Sequence, residues 1–247
     1  MRRTHRVLAS ATAALTATSI AAIPPATAQD MPTGWCADRA DLTVLGPSSE
    51  TGYGTTGYDS PDGTYSPTPH AWVAQFARAA DATWNTITDV HARNGAMIWD
   101  FLPGGRWPST VAALDAIRDT QPDLVLVGGV FANEYLNNWD LAHAERNLRR
   151  LVTELRTARP GVDLVFTIYP DIDWPESRRP WADWAEVIQR VATDTGTRVI
   201  DLRPLIDTPY NDTEGHWSDD HAHLNDHGQT EVAQHVWNEF ETWTRRC

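Results

Sequence analysis

Five short apolar strands alternate with helical stretches along this sequence, and that alternation predicts an α/β fold. The expected form is a doubly wound, five-stranded parallel sheet between two helical layers, α/β/α. Two further observations support it. The run Leu124–Phe131 is apolar without a break, as a strand covered on both faces must be. The helical stretches are apolar on one side only, as Leu148, Leu151, Val152 and Leu155 illustrate.

The elements follow in order. Arg2, Arg3 and Arg6 precede an Ala-rich apolar run from Val7 to Ile23 and then Ala26-Thr27-Ala28. This reads as a secretory signal over residues 1–28, cut before Gln29. The run is short and broken by Pro24-Pro25, which argues against a membrane anchor. Residues 29–247 then form a single domain long enough for one sizeable core. Losing the three arginines moves the formal net charge from −13 to −16. Such an acidic exported chain is not expected to bind nucleic acid or anionic membrane. A monomer is expected. Cys36 and Cys247 flank nearly all of the mature chain, and export makes a disulfide between them the expectation.

Asp41–Leu45 reads as a buried strand ending at Gly46. The Gly-, Ser- and Pro-rich segment 47–69 is a long loop of the kind that carries function. Helical spacing over 71–82 is followed by a strand at 86–90 and an irregular stretch, 94–107. A helix is expected over 111–118, then the strand from Leu124. Further helices are expected over 141–158, 181–193 and 229–245, with strands at 162–168 and 197–201 between them.

The chemistry is expected beyond the carboxyl ends of the strands. The first strand leads to Gly46-Pro47-Ser48-Ser49, where a serine in a tight turn can expose its hydroxyl; Ser49 is the local rival to Ser48. The third leads to Asn133, whose amide can donate at the sheet's mouth. Between Ser218 and Gly228 lie three histidines and three aspartates. Asp220 three residues before His223 can fold back, accept Nδ1–H and leave Nε2 as a base. Nucleophile, donor, base and orienter are the parts of acyl transfer. The rival is a zinc site from His221, His223 and His227 with Asp219, Asp220 or Asp226, but no H-E-x-x-H helix or cysteine pair accompanies it. No cofactor or metal is expected. Several of the 12 tryptophans, among them Trp99, Trp107 and Trp139, fall near loops and are candidates for a substrate platform.

These blocks, in this order, resemble the SGNH, or GDSL-type, hydrolases over essentially all of the mature chain, and so imply that family's flavodoxin-like version of the fold. The resemblance implies Ser48 as nucleophile, His223 as base and Asp220 as its partner. It implies an oxyanion hole from the Ser48 N–H, Asn133 and a glycine after the second strand, Gly104 or Gly105. Pro47 stands where the family has aspartate, Phe131 where a glycine is usual, and Glu134 where an aspartate follows the asparagine. The implied activity is hydrolysis of small-molecule or polysaccharide esters. An acyltransferase using the same acyl-serine and a non-catalytic sugar-binding relative are the alternatives.

Overall fold

The computed structural model describes Trp35 and residues 38–246 of the 247-residue chain. The expected signal segment and both cysteines, Cys36 and Cys247, lie outside the described residues.

Five parallel strands form one sheet in the order β2-β1-β3-β4-β5. They are β1 (Asp41–Gly46), β2 (Ile87–Ala92), β3 (Leu124–Val127), β4 (Asp163–Ile168) and β5 (Arg198–Asp201). The three central strands are almost wholly buried, whereas β2 and β5 are partly exposed edges. Burial on both faces is why β3 reads as a continuous apolar run and why β1 and β4 are apolar apart from a leading aspartate and one threonine each.

The helices are α1 (Ser48–Thr51), α2 (Trp72–Trp84), α3 (Pro108–Val111), α4 (Ala113–Thr120), α5 (Ala132–Leu136), α6 (Leu141–Ala158), α7 (Trp181–Thr195) and α8 (Asp226–Thr244), with a 3-10 turn at Ile98–Phe101. Helices α2 and α8 pack together, with Phe76 and Phe240 4.8 Å apart between them, while α6 packs against both α4 and α7. These are the two outer layers. Each fully buried Leu, Ile or Phe in them contributes roughly 1.5–3 kcal/mol.

From β1 the chain moves to one side of the sheet and from β3 to the other. The carboxyl ends of β1 and β3 therefore flank the switch point, where a crevice opens. Gly46 lies level with Ala92, and Leu45 with Val127, so the segments after β1, β2 and β3 emerge at one edge.

The expected elements all form, with shifts at their ends. Strand β3 stops at Val127 instead of continuing to Phe131, because Gly129 and Phe131 turn to φ +49° and +66°. The final helix starts three residues early. Asn225 caps it, its side-chain oxygen accepting from the His227 and Gly228 N–H groups at 2.9 and 3.2 Å. The helix expected over 111–118 is found as α4, Ala113–Thr120, preceded by the separate short helix α3, whose Pro108 suits a first turn.

Candidate active site

Ser48 opens α1 directly after β1. Pro47 precedes it in extended conformation, and Gly52 ends the helix at φ +90°. A proline at this helix start removes no intrahelical bond, because the first N–H groups of a helix have no partner within it. That same fact leaves the Ser48 N–H available beside its own hydroxyl.

Ser48 Oγ lies 2.7 Å from His223 Nε2, and His223 Nδ1 lies 2.7 Å from Asp220 Oδ2. The carboxylate at Nδ1 requires a proton there, so Nε2 carries the lone pair and the serine hydroxyl donates to it. Asp220 Oδ1 also accepts the N–H groups of Ala222 and His223, each at 3.0 Å. Burial would raise the Asp220 pKa, but the His223 bond and these backbone donors outweigh it and hold the group down to about 2. The Ser218 N–H donates to the His223 carbonyl at 2.8 Å, and Asn225 Nδ2 ties the loop through the Gly215 and Trp217 carbonyls. The Ser49 hydroxyl is engaged elsewhere: it donates to Glu50 Oε2 at 2.5 Å.

The remaining expected residues fall unevenly. Asn133 shares the crevice with Ser48 and His223, and its Nδ2 donates to the Ala96 carbonyl at 2.8 Å. An amide nitrogen carries a second proton, which remains to be placed. Gly104 and Gly105 follow the 3-10 turn, with Gly105 against the Asp100 backbone. The glycine tied to the site is Gly95, at φ +74°, three residues past β2. Its neighbour Asn94 lies 2.7 Å from the Thr51 hydroxyl of α1, and Ala96 on its other side is the partner of Asn133. The strand register was the signal that separates Gly95 from the later pair.

The three histidine rings of the loop go to three different partners. His223 reaches Ser48, His221 stacks on Tyr210, and His227 stacks on His216 at 4.5 Å. Among the described residues no group of three His, Cys, Asp or Glu side chains is placed to hold a metal. The aromatic ring against His223 is Tyr53, 4.6 Å away, rather than a tryptophan.

Four charged residues behind the crevice were missed by sequence reasoning. Asp100 is fully buried and binds Arg106 through Nε at 2.8 Å and Nη2 at 2.6 Å. Arg106 Nη2 also donates to the Gly95 carbonyl at 2.8 Å, and its guanidinium stacks 4.1 Å from the Trp107 ring. Glu134 Oε1 accepts the Ile98 N–H at 2.7 Å; burial pushes its pKa up to about 7. Glu50 fills the space over Gly46 and Gly128, where any Cβ would collide with its carboxyl group, and burial raises it to about 8.

A parallel α/β sheet with this site at its carboxyl edge defines a serine hydrolase acting on ester bonds. Comparison with known proteins gives the family. The GDSL-like lipase/acylhydrolase family model matches residues 44–230, well over half of the sequence. The chain belongs to that family. Among solved structures it is similar to a psychrotrophic esterase from Pseudoalteromonas sp., with TM-score 0.60, 16% identity, and 83% of this chain and 98% of that one covered. It is similar to a carbohydrate acetylesterase family member from Sinorhizobium meliloti, with TM-score 0.63, 13% identity, and coverage of 83% and 99%. A lipase/acylhydrolase from Enterococcus faecalis gives TM-score 0.60, 18% identity, and coverage of 82% and 96%. A sequence comparison with curated proteins finds no significant match.

Proposed function

We propose that this chain is a secreted serine esterase working through Ser48, His223 and Asp220. The observation that carries the reading is the hydrogen-bonded series Ser48 Oγ, His223 Nε2, His223 Nδ1, Asp220 Oδ2, with both links at 2.7 Å. Ser48 Oγ attacks the ester carbonyl carbon while its proton passes to His223 Nε2. The bond from that carbon to the alcohol oxygen breaks, and His223 gives the proton to the departing oxygen. Water then attacks the acyl-serine and yields a proton to His223. The acid leaves as Ser48 regains its hydrogen. Asp220 stays ionised throughout and stabilises the imidazolium, in keeping with its depressed pKa.

The negative charge that develops on the carbonyl oxygen falls to the Ser48 N–H, the free Asn133 amide proton and the Gly95 N–H. Gly95 takes the role first expected of Gly104 or Gly105. Each donor is worth about 3 kcal/mol of barrier. The mechanism needs no cofactor.

Ser48→Ala is expected to abolish hydrolysis of p-nitrophenyl acetate while leaving the circular dichroism spectrum and Tm unchanged. Undiminished activity in a folded variant excludes the mechanism. Export rests on the basic and apolar leader alone; a mature protein recovered from the medium and beginning at Gln29 is the expected product. In that product Cys36 and Cys247 are proposed to pair, which intact mass before and after reduction reads directly.

A further inference from the structure

We propose that the acyl subsite beside Ser48 takes a two-carbon acyl group, so that the substrates are acetate esters. The inference rests on the serine-esterase reading and narrows it. Next to Ser48 and His223 the crevice is walled by Ala132, Leu136, Tyr169, Ile172 and Ala222. Its volume is about 10 Å3. A space of that size holds roughly one water-sized group, which is the size of a methyl. With the carbonyl carbon at Ser48 Oγ and its oxygen among the N–H donors, only the methyl of an acetyl group remains to be housed. The side chains of these five walls are apolar apart from the Tyr169 hydroxyl.

The segments that carry the walls are tied to their neighbours. The Tyr169 hydroxyl is directed to the Ala222 carbonyl at 3.5 Å, and Trp181 Nε1 donates to the Tyr169 carbonyl at 3.0 Å. The Trp174 N–H donates to the Tyr135 hydroxyl at 2.9 Å, holding the segment that carries Ile172. Tyr169 and Ile172 are both buried. Close-packed interiors of this kind resist added methylenes. The other side of His223 is different. Tyr53 is exposed there with its ring 4.6 Å from the imidazole, so the alcohol portion meets open surface. A wider cleft of about 550 Å3 between Trp139 and Arg178–Arg179 includes none of Ser48, Asn133 and His223.

The test is kcat/KM for p-nitrophenyl acetate, butyrate and octanoate with the full chain, alongside fluorophosphonate labelling. Acetate is expected to exceed butyrate at least about tenfold, with octanoate lower still. Ile172→Ala and Leu136→Ala are each expected to raise the butyrate-to-acetate ratio about tenfold or more. Leu136 is only half-buried, so its variant decides the matter if Ile172→Ala loses its fold. Labelling together with equal or rising activity on longer chains overturns the acetyl subsite and leaves the serine mechanism standing. Unchanged ratios in folded variants do the same. Neither labelling nor hydrolysis of any ester overturns both.

Discussion

The two sides of Ser48 are built in opposite ways. On the His223 side, base, orienter and their backbone supports all come from residues 215–228, a contiguous turn open to solvent and closed by the capped start of α8. On the Gly95 side, the loop is held by Asp100 and Arg106 from its own later part and by Asn133 and Glu134 from a helix beyond β3, with both carboxyl groups buried. The proposed base and its orienter are thus local in the chain, while the proposed nucleophile and oxyanion donors come from distant parts of it. Damage to the first side should cost rate with little loss of stability, and damage to the second should cost both.

Three variants sharpen that contrast. The largest effect is expected from Asp220→Asn, which leaves the turn but removes the carboxylate that fixes the His223 tautomer. A fall of about 10,000-fold in kcat is expected, with Tm nearly unchanged, read from steady-state kinetics and thermal melting. A comparable drop in Tm would show that the turn is a structural element of the core. Next comes Arg106→Met. It leaves Asp100 buried and uncompensated, and breaking such a pair costs on the order of 3–5 kcal/mol. Urea unfolding is expected to show that loss, with kcat lowered through Gly95. Wild-type stability in the variant would contradict the role given to the pair.

The smallest effect is a pH dependence. The Glu50 carboxyl has its pKa raised from 4.5 to about 8 in the folded chain. Between those values the folded chain keeps a proton that the unfolded chain has released. Rising pH therefore favours unfolding, and the stabilisation present below about 4.5 is lost as the pH passes 8. Glu134, raised to about 7, adds to the same slope. Glu50→Gln cannot ionise, and its Tm is expected to decline less than wild type between pH 6 and 9. Parallel Tm curves would remove Glu50 from the account.

The same contrast explains what the sequence disclosed. Strands β1, β3 and β4 were legible because burial on both faces demands mostly apolar runs, unbroken in β3. Asp220-x-x-His223 was legible because the whole device fits in one turn. Helices α1 and α5 are too short to show a period. Asp100, Arg106, Glu50 and Glu134 were given no role from the sequence, since nothing local distinguishes a buried carboxylate from a solvated one. Gly104 and Gly105 drew the sequence reading as the more conspicuous pair; Gly95 is proposed in their place because it follows the end of β2, which lies level with Gly46. Phe131 is the most instructive case. It replaces a glycine expected from the resemblance, yet its backbone stays in the left-handed region at φ +66°. A non-glycine residue there costs on the order of 1–3 kcal/mol. The fully buried ring, packed 5.6 Å from Trp184, holds it in place.

The central claim is that one hydroxyl, that of Ser48, is activated by His223, while its neighbour Ser49 serves only the packing around Glu50. Fluorophosphonate labelling mapped by peptide mass spectrometry tests it most directly. The adduct is expected on Ser48, retained in Ser49→Ala and absent from Ser48→Ala and His223→Ala. An adduct on Ser49, or labelling that survives the loss of His223, would contradict it.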